Sequence, residues 1–190
     1  MMSIIITVGG LHGTGKTTYA RRLAEDLRFR HVSAGDLFRA MAEAKGITLD
    51  ELNRLAESDP AIDKEIDQRI KDEASMGNVI LDGQLAAWMA KDADLKILLI
   101  APKEVRLDRI AQRDNIRPEE AEEKTLGREE IERERYKRYY GIDMADPSVY
   151  DLIVDTNLYQ LEEMMKILKR IVSDYIGQLR KRGKRQDGHT

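Results

Sequence analysis

Gly10-Leu11-His12-Gly13-Thr14-Gly15-Lys16-Thr17-Thr18 follows directly on the apolar run Ile4-Ile5-Ile6-Thr7-Val8, and this stretch decides the fold. It fits the phosphate-loop pattern of Gly, four residues, then Gly-Lys-Ser/Thr, in the context that the pattern requires. A β-branched strand feeds the loop, and the helix-forming segment Tyr19–Leu27 leaves it. Glycines 10, 13 and 15 permit backbone conformations that let successive N–H groups point inward at a polyphosphate. The following helix adds the positive end of its dipole. Gly10 through Thr18 are therefore the expected ATP-binding residues. Lys16 reaches the β- and γ-phosphates, and the Thr17 hydroxyl is placed to ligate Mg²⁺.

Outward from the loop, strand-like and helix-like segments alternate. Phe29–Val32 reads as a second strand, and Ser33-Ala34-Gly35-Asp36 opens a helix that Gly46 ends. Thr48-Leu49-Asp50-Glu51 is a capping box, and Asp59-Pro60 pairs an N-cap with a proline at the first helical position. These three helices form an excursion from the sheet over about residues 34–76. Val79–Leu81 and Leu95–Ala101 read as strands, the second apolar enough to be buried on both faces. Arg113–Tyr140 is dominated by charge, Tyr150–Val154 is a last strand, and Leu158–Leu179 an amphipathic helix. About five strands alternating with helices imply an α/β fold, a parallel sheet wrapped on both sides, with ligands at the strands' carboxyl ends. Residues 1–179 form one domain on this reading, and the basic tail 180–190 is expected to be disordered.

Phosphoryl transfer needs charge neutralised over the transferring group, so arginines are expected beyond the loop. Arg39 lies one helical turn after Ser33-Ala34-Gly35-Asp36, where a guanidinium can hold an acceptor phosphate. Asp82-Gly83 ends the third strand, where a carboxylate can serve Mg²⁺ with Thr17. Arg106, Arg109 and Arg113 share a helical face, and Arg128 to Arg135 follow in the charged segment. The side chain of His12, a variable position of the loop, is expected to contact nothing. Trp88 and the group Tyr136, Tyr139 and Tyr140 read as packing.

The chain has 190 residues, 42% hydrophobic and 35% charged, with a net charge of −3. That is enough for one core, and the charge balance offers no basic field for nucleic acid. No apolar run approaches the roughly 18–20 residues that span a bilayer. The absence of cysteine and the brief apolar start fit a cytoplasmic location.

The chain resembles the cytidylate kinases of the nucleoside monophosphate kinase group, most closely the short archaeal type, from Ile4 to about Ile176. Gly10–Thr18 looks like their ATP loop, and Ser33-Ala34-Gly35-Asp36-Leu37-Phe38-Arg39 like the start of their monophosphate-binding helix. Val79-Ile80-Leu81-Asp82-Gly83 is similar to their third-strand acidic motif. Arg128-Glu129-x-x-Glu132-x-x-Arg135 resembles their Arg-Asp-x-x-Asp-x-x-Arg lid pattern, with Glu for both Asp. Gln84 stands where many relatives have arginine. The resemblance implies a P-loop NTPase fold with a helical monophosphate-binding insertion and a lid over about 113–135. It implies ATP and Mg²⁺ as co-substrate and cofactor, CMP or dCMP as acceptor, and a monomer that binds neither nucleic acid nor membrane. On it, Ser33, Gly35, Asp36, Arg39, Asp82 and Gly83 meet CMP, while Lys16, Arg109, Arg113, Arg128 and Arg135 serve the transferring phosphoryl group. Two other readings stay open at this point: another small-acceptor kinase on the same scaffold, and a nucleotide-binding switch or module.

Overall fold

The apolar run at the start of the chain forms β1 (Ile5–Gly9), the middle strand of a five-stranded sheet. The structure is a computed structural model and describes residues 3–186. β2 (Arg30–Ser33), β3 (Val79–Asp82), β4 (Leu95–Ile100) and β5 (Leu152–Asp155) complete the sheet in the order β2-β3-β1-β4-β5, every pair parallel. The chain leaves β1 toward the β2 edge and leaves β4 toward the β5 edge, so the crevice that opens at such a reversal lies at the carboxyl ends of these two neighbouring strands. The register sets Val8, Asp82 and Ser33 side by side there.

Eight α-helices lie among the described residues: α1 (Lys16–Leu27), α2 (Ala34–Ala44), α3 (Leu49–Ser58), α4 (Pro60–Ser75), α5 (Ala86–Met89), α6 (Lys103–Asp114), α7 (Pro118–Tyr140) and α8 (Leu161–Gln186). None is long and apolar enough to cross a membrane. Strand alternation sorts the core into two layers. Ile6, Val8, Ile80, Ile97 and Leu99 meet Leu23 of α1 and Leu168 and Val172 of α8 on one face. Val79 and Leu81 meet Ile70 and Ala74 of α4 and Ala86 of α5 on the other.

That second layer stops short of β4. Leu95, Ile97 and Leu99 are buried, but Leu98 is half-buried and Ile100 exposed, so β4 is covered on one face rather than both as its composition suggests. The α8 helix runs to Gln186, past the Leu179 boundary and into the tail expected to be disordered; residues 187–190 lie outside the described residues. Trp88 packs edge-on against Tyr150.

The excursion is α2, α3 and α4, closed around Phe38, Leu52, Ala56, Ile62 and Ile66. Its caps are those the sequence spells: Thr48 and Glu51 form the reciprocal box, and Asp59 accepts from Ala61 N–H with Pro60 at the first turn. From Pro118 onward the charged segment folds as one helix, α7, with Pro118 in its first turn and Gly127 inside it. Its buried residues are Ala121, Thr125, Glu132 and Arg135, so its inward stripe is largely polar. This stripe lies over the mouth of the crevice.

Candidate active site

Gly10, Gly13 and Gly15 all take positive φ, which curls the backbone between β1 and α1. At Gly13 the close approach is also steric: a Cβ there would stand 2.4 Å from the Arg106 carbonyl oxygen. The Leu11 carbonyl accepts from Thr14 Oγ1 at 2.8 Å and from Lys16 Nζ at 3.0 Å. Burial draws the Lys16 ammonium down to about 8, against the opposing pull of Asp82, Glu132 and Glu129. Thr18 lies on the exposed outer side of the first helical turn.

Asp82, at the end of β3, is 2% exposed and gathers three side chains. Thr17 Oγ1 donates to its Oδ1 at 3.0 Å and Ser33 Oγ at 3.2 Å, while His31 Nε2 lies 2.6 Å from its Oδ2. Ser33 also caps α2 by accepting from Asp36 N–H at 3.3 Å. Gly83 follows, where a Cβ would stand 2.7 Å from Ala34 Cβ and wedge α2 off the sheet. Strand register thus assembles Thr17, Ser33 and Asp82 from three separate segments.

Above the loop, α7 supplies a second acidic centre. Glu132 is 3% exposed and accepts from His12 Nε2 at 2.8 Å, Gln84 Nε2 at 2.7 Å and Arg128 Nε at 2.8 Å. Burial pushes its carboxyl up, but the His12 and Arg128 contacts outweigh burial and hold it far below the usual carboxylate range. Burial lowers the His12 imidazole. Glu129 accepts from His12 N–H at 3.1 Å and from Arg106 Nη1 at 2.6 Å, and the same Nη1 donates to the His12 carbonyl at 2.7 Å. His12 is therefore the point at which α7 and α6 grip the loop, contrary to the expectation of no contact.

The three arginines of α6 part company. Arg106 is buried in that grip, and Arg109 donates to Thr156 Oγ1 at 2.9 Å and to the Gly13 carbonyl at 3.4 Å. Arg113 is exposed and pairs with its neighbour Asp114 at 2.7 Å.

One cavity of about 1150 Å³ runs from the loop to the α2–α4 excursion. Its wall includes Lys16, Arg39, Asp82, Arg109, Arg113 and Arg128. Arg39 reaches over this wall from α2 and pairs with Asp36. Arg135 departs from its expected place. Its guanidinium is 2.8 Å from Asp63 Oδ2 of α4 and donates to the Asn53 carbonyl of α3 at 3.2 Å, so it braces the excursion rather than closing over the loop. Burial pushes the Asp63 carboxyl up to about 6 in spite of Arg135.

A family model described as "Cytidylate kinase-like family" matches residues 5–158. The chain belongs to this family. A cytidylate kinase of Staphylothermus marinus is 42% identical over 174 residues, covering 91% of this chain and 98% of that one. A cytidylate kinase of Pyrococcus furiosus is 47% identical over 169 residues, covering 89% of this chain and 88% of that one. A shikimate kinase of Bacteroides thetaiotaomicron superposes with a TM-score of 0.64 at 17% identity, over 90% of this chain and 99% of its own, which is likeness of fold alone. Within this cytidylate kinase-like chain, Asn53, Asp63 and Asp67 were not singled out from sequence. The two aspartates leave a trace, a second stripe on α4, Asp63 and Asp67 each one residue after Ile62 and Ile66.

Proposed function

We propose that the protein transfers the γ-phosphoryl group of ATP to CMP or dCMP, yielding ADP and the pyrimidine nucleoside diphosphate. The carrying observation is the continuous cavity that joins the phosphate loop to α2–α4. At about 1150 Å³ it exceeds the roughly 300–1,000 Å³ of common one-ligand sites. It has cations along its length, as a donor and an acceptor phosphate held end to end would need. Membership of the family and relatives named cytidylate kinases support the choice of acceptor.

In this reading the loop amides of Gly10–Thr18 and Lys16 take the β- and γ-phosphates, and Arg39, with Ser33, Gly35, Asp36 and Gly83 around it, holds the CMP phosphate. Arg109, Arg113 and Arg128 line the space between and spread the charge that develops in transfer. The acceptor is already an anionic oxygen, so no strong general base is required. Movement of α7, the lid, admits substrates, and its return excludes water and so limits ATP hydrolysis. Mg²⁺ fits Thr17 and Asp82, because hydroxyl and carboxylate oxygens are the donors a hard cation takes and the two stand 3.0 Å apart. When bound it neutralises phosphate charge.

Lys16→Ala tests the reading in a coupled ADP-release assay with CMP. A folded variant is expected to lose about 10²-fold or more in kcat, the scale of one lost oxyanion contact. Wild-type turnover in that variant overturns it.

A further inference from the structure

Glu132 is a carboxylate in the wall of a cavity that the reading above fills with phosphates. It lies near enough to Lys16 to pull on the ammonium, so a free Glu132 would repel the donor and compete for its lysine. Three side chains hold it instead. His12 Nε2 and Gln84 Nε2 stand 2.8 and 2.7 Å from Glu132 Oε2, while Arg128 Nε donates to Oε1 at 2.8 Å. The Gln84 nitrogen only donates, and it lies 2.9 Å from His12 Nε2 as well, so both nitrogens aim their hydrogens at the one shared oxygen. That arrangement puts a proton on Nε2 of His12. The frame behind the two donors is firm. The His12 carbonyl accepts from Arg106 Nη1 at 2.7 Å, and the His12 N–H donates to Glu129 at 3.1 Å. Gln84 follows Gly83, against which Ala34 of α2 packs, and precedes the buried Leu85.

We propose that His12 and Gln84 are positioning residues for phosphoryl transfer: they hold Glu132, and Glu132 turns the guanidinium of Arg128 toward the group in transit. The inference rests on the phosphotransfer reading above and deepens it. Arg128 lines the cavity with its side chain 27% exposed, and its bond through Nε leaves both Nη groups of the fork for an anion. An arginine side chain carries about 2 kcal/mol of rotamer entropy, which an unheld Arg128 would have to give up during the reaction. A carboxylate anchored at one oxygen by the loop and by the segment after β3, and holding Nε with the other, fixes the guanidinium before substrates arrive. The device also depends on closure. Glu132 and Arg128 belong to α7, whereas His12 and Gln84 belong to the core, so the four groups meet only when α7 lies on the loop.

The test measures transfer in single turnover, with saturating MgATP and protein in excess over CMP, so that product release does not mask the chemistry. Rates are counted per ATP site titrated by calorimetry, which removes any unfolded fraction. Gln84→Leu and His12→Phe should each lower the transfer rate about tenfold or more and leave the Kd for ATP and for CMP within about threefold. His12→Gln, whose amide nitrogen can stand in for Nε2, should recover most of the loss. The remaining arm repeats each substitution in an Arg128→Ala background. Residues that act through Arg128 cost under about twofold there, whereas a general loosening of the site costs the same tenfold again. An undiminished loss in that background overturns the inference, as does wild-type transfer in Gln84→Leu and His12→Phe, or equal rates for His12→Gln and His12→Phe. If Gln84→Leu yields no ATP sites, the His12 variants carry the same comparison. Wild-type protein that transfers nothing to CMP overturns the phosphotransfer reading instead.

Discussion

Replacing Glu132 by Gln keeps the shape of the side chain and removes its charge, so it measures what the carboxylate contributes to holding α7 on the phosphate loop. Glu132 is 3% exposed and accepts three bonds, from His12, Gln84 and Arg128. Hydrogen bonds to a charged group contribute roughly 1.5–3 kcal/mol each and neutral ones roughly 0.5–1.5. Arg128 donates to one carboxylate oxygen and His12 and Gln84 to the other, and an amide accepts through its single oxygen only, so the contacts on one side are lost and those on the other downgraded, a cost of about 3 kcal/mol that the partial access of Arg128 to water reduces. The net expectation is about 2–3 kcal/mol, below the ~3–5 that deleting one member of a buried ion pair costs. Urea unfolding at neutral pH, with no nucleotide added, reads it directly. The pH dependence supplies a second check. The folded-state pKa of Glu132 is depressed, so its stabilisation is complete above the unfolded value near 4.5 and is lost as pH falls. The gap between wild type and variant should therefore be flat between about pH 6 and 8 and close under acid conditions. A cost under about 0.5 kcal/mol, or a gap that widens in acid, refutes the grip assigned to Glu132.

The half-buried Lys16, with its pKa drawn down to about 8, should take up a proton when phosphates restore its charge. Calorimetry of ATP binding at about pH 8.5 in two buffers of different ionisation enthalpy should show net proton uptake, and ATP affinity should weaken as pH rises above that value. Zero uptake contradicts it. Gly13→Ala combines a φ of +79° with a Cβ 2.4 Å from the Arg106 carbonyl, whereas Gly46 has a φ of +66° and nothing within 4 Å. Gly46→Ala should cost only the ~1 kcal/mol of left-handed strain, and Gly13→Ala distinctly more, both by urea unfolding. Equal costs would show that α6 gives way freely.

The loop and its strand were legible because their chemistry restricts residue type: no side chain fits at Gly13, and only a short hydroxyl at position 17 reaches Asp82. The caps at Thr48 and Asp59 were legible because they are local. Burial of β4 was misjudged because an apolar strand does not reveal how far the neighbouring layer extends. The α7 helix hid its inward face because that face is Thr125, Glu132 and Arg135 rather than leucine or isoleucine. Arg128 and Arg135 lie seven residues apart on one stripe, and only the docking of α7 decides that the first meets the loop-facing Glu132 and the second Asp63. Asn53 left no trace at all, since a single polar residue between apolar ones on an amphipathic helix is ordinary until its amide proves buried and unpaired.

The proposed activity is the transfer of phosphate from ATP to a cytidine monophosphate. The most direct measurement incubates the protein with Mg²⁺ and ATP labelled at the γ-phosphate, in parallel with CMP, dCMP, UMP, AMP or no acceptor, and follows the label. Labelled CDP and dCDP are expected, with little free labelled phosphate. Label arriving on AMP alone, or released as phosphate whatever the acceptor, contradicts it.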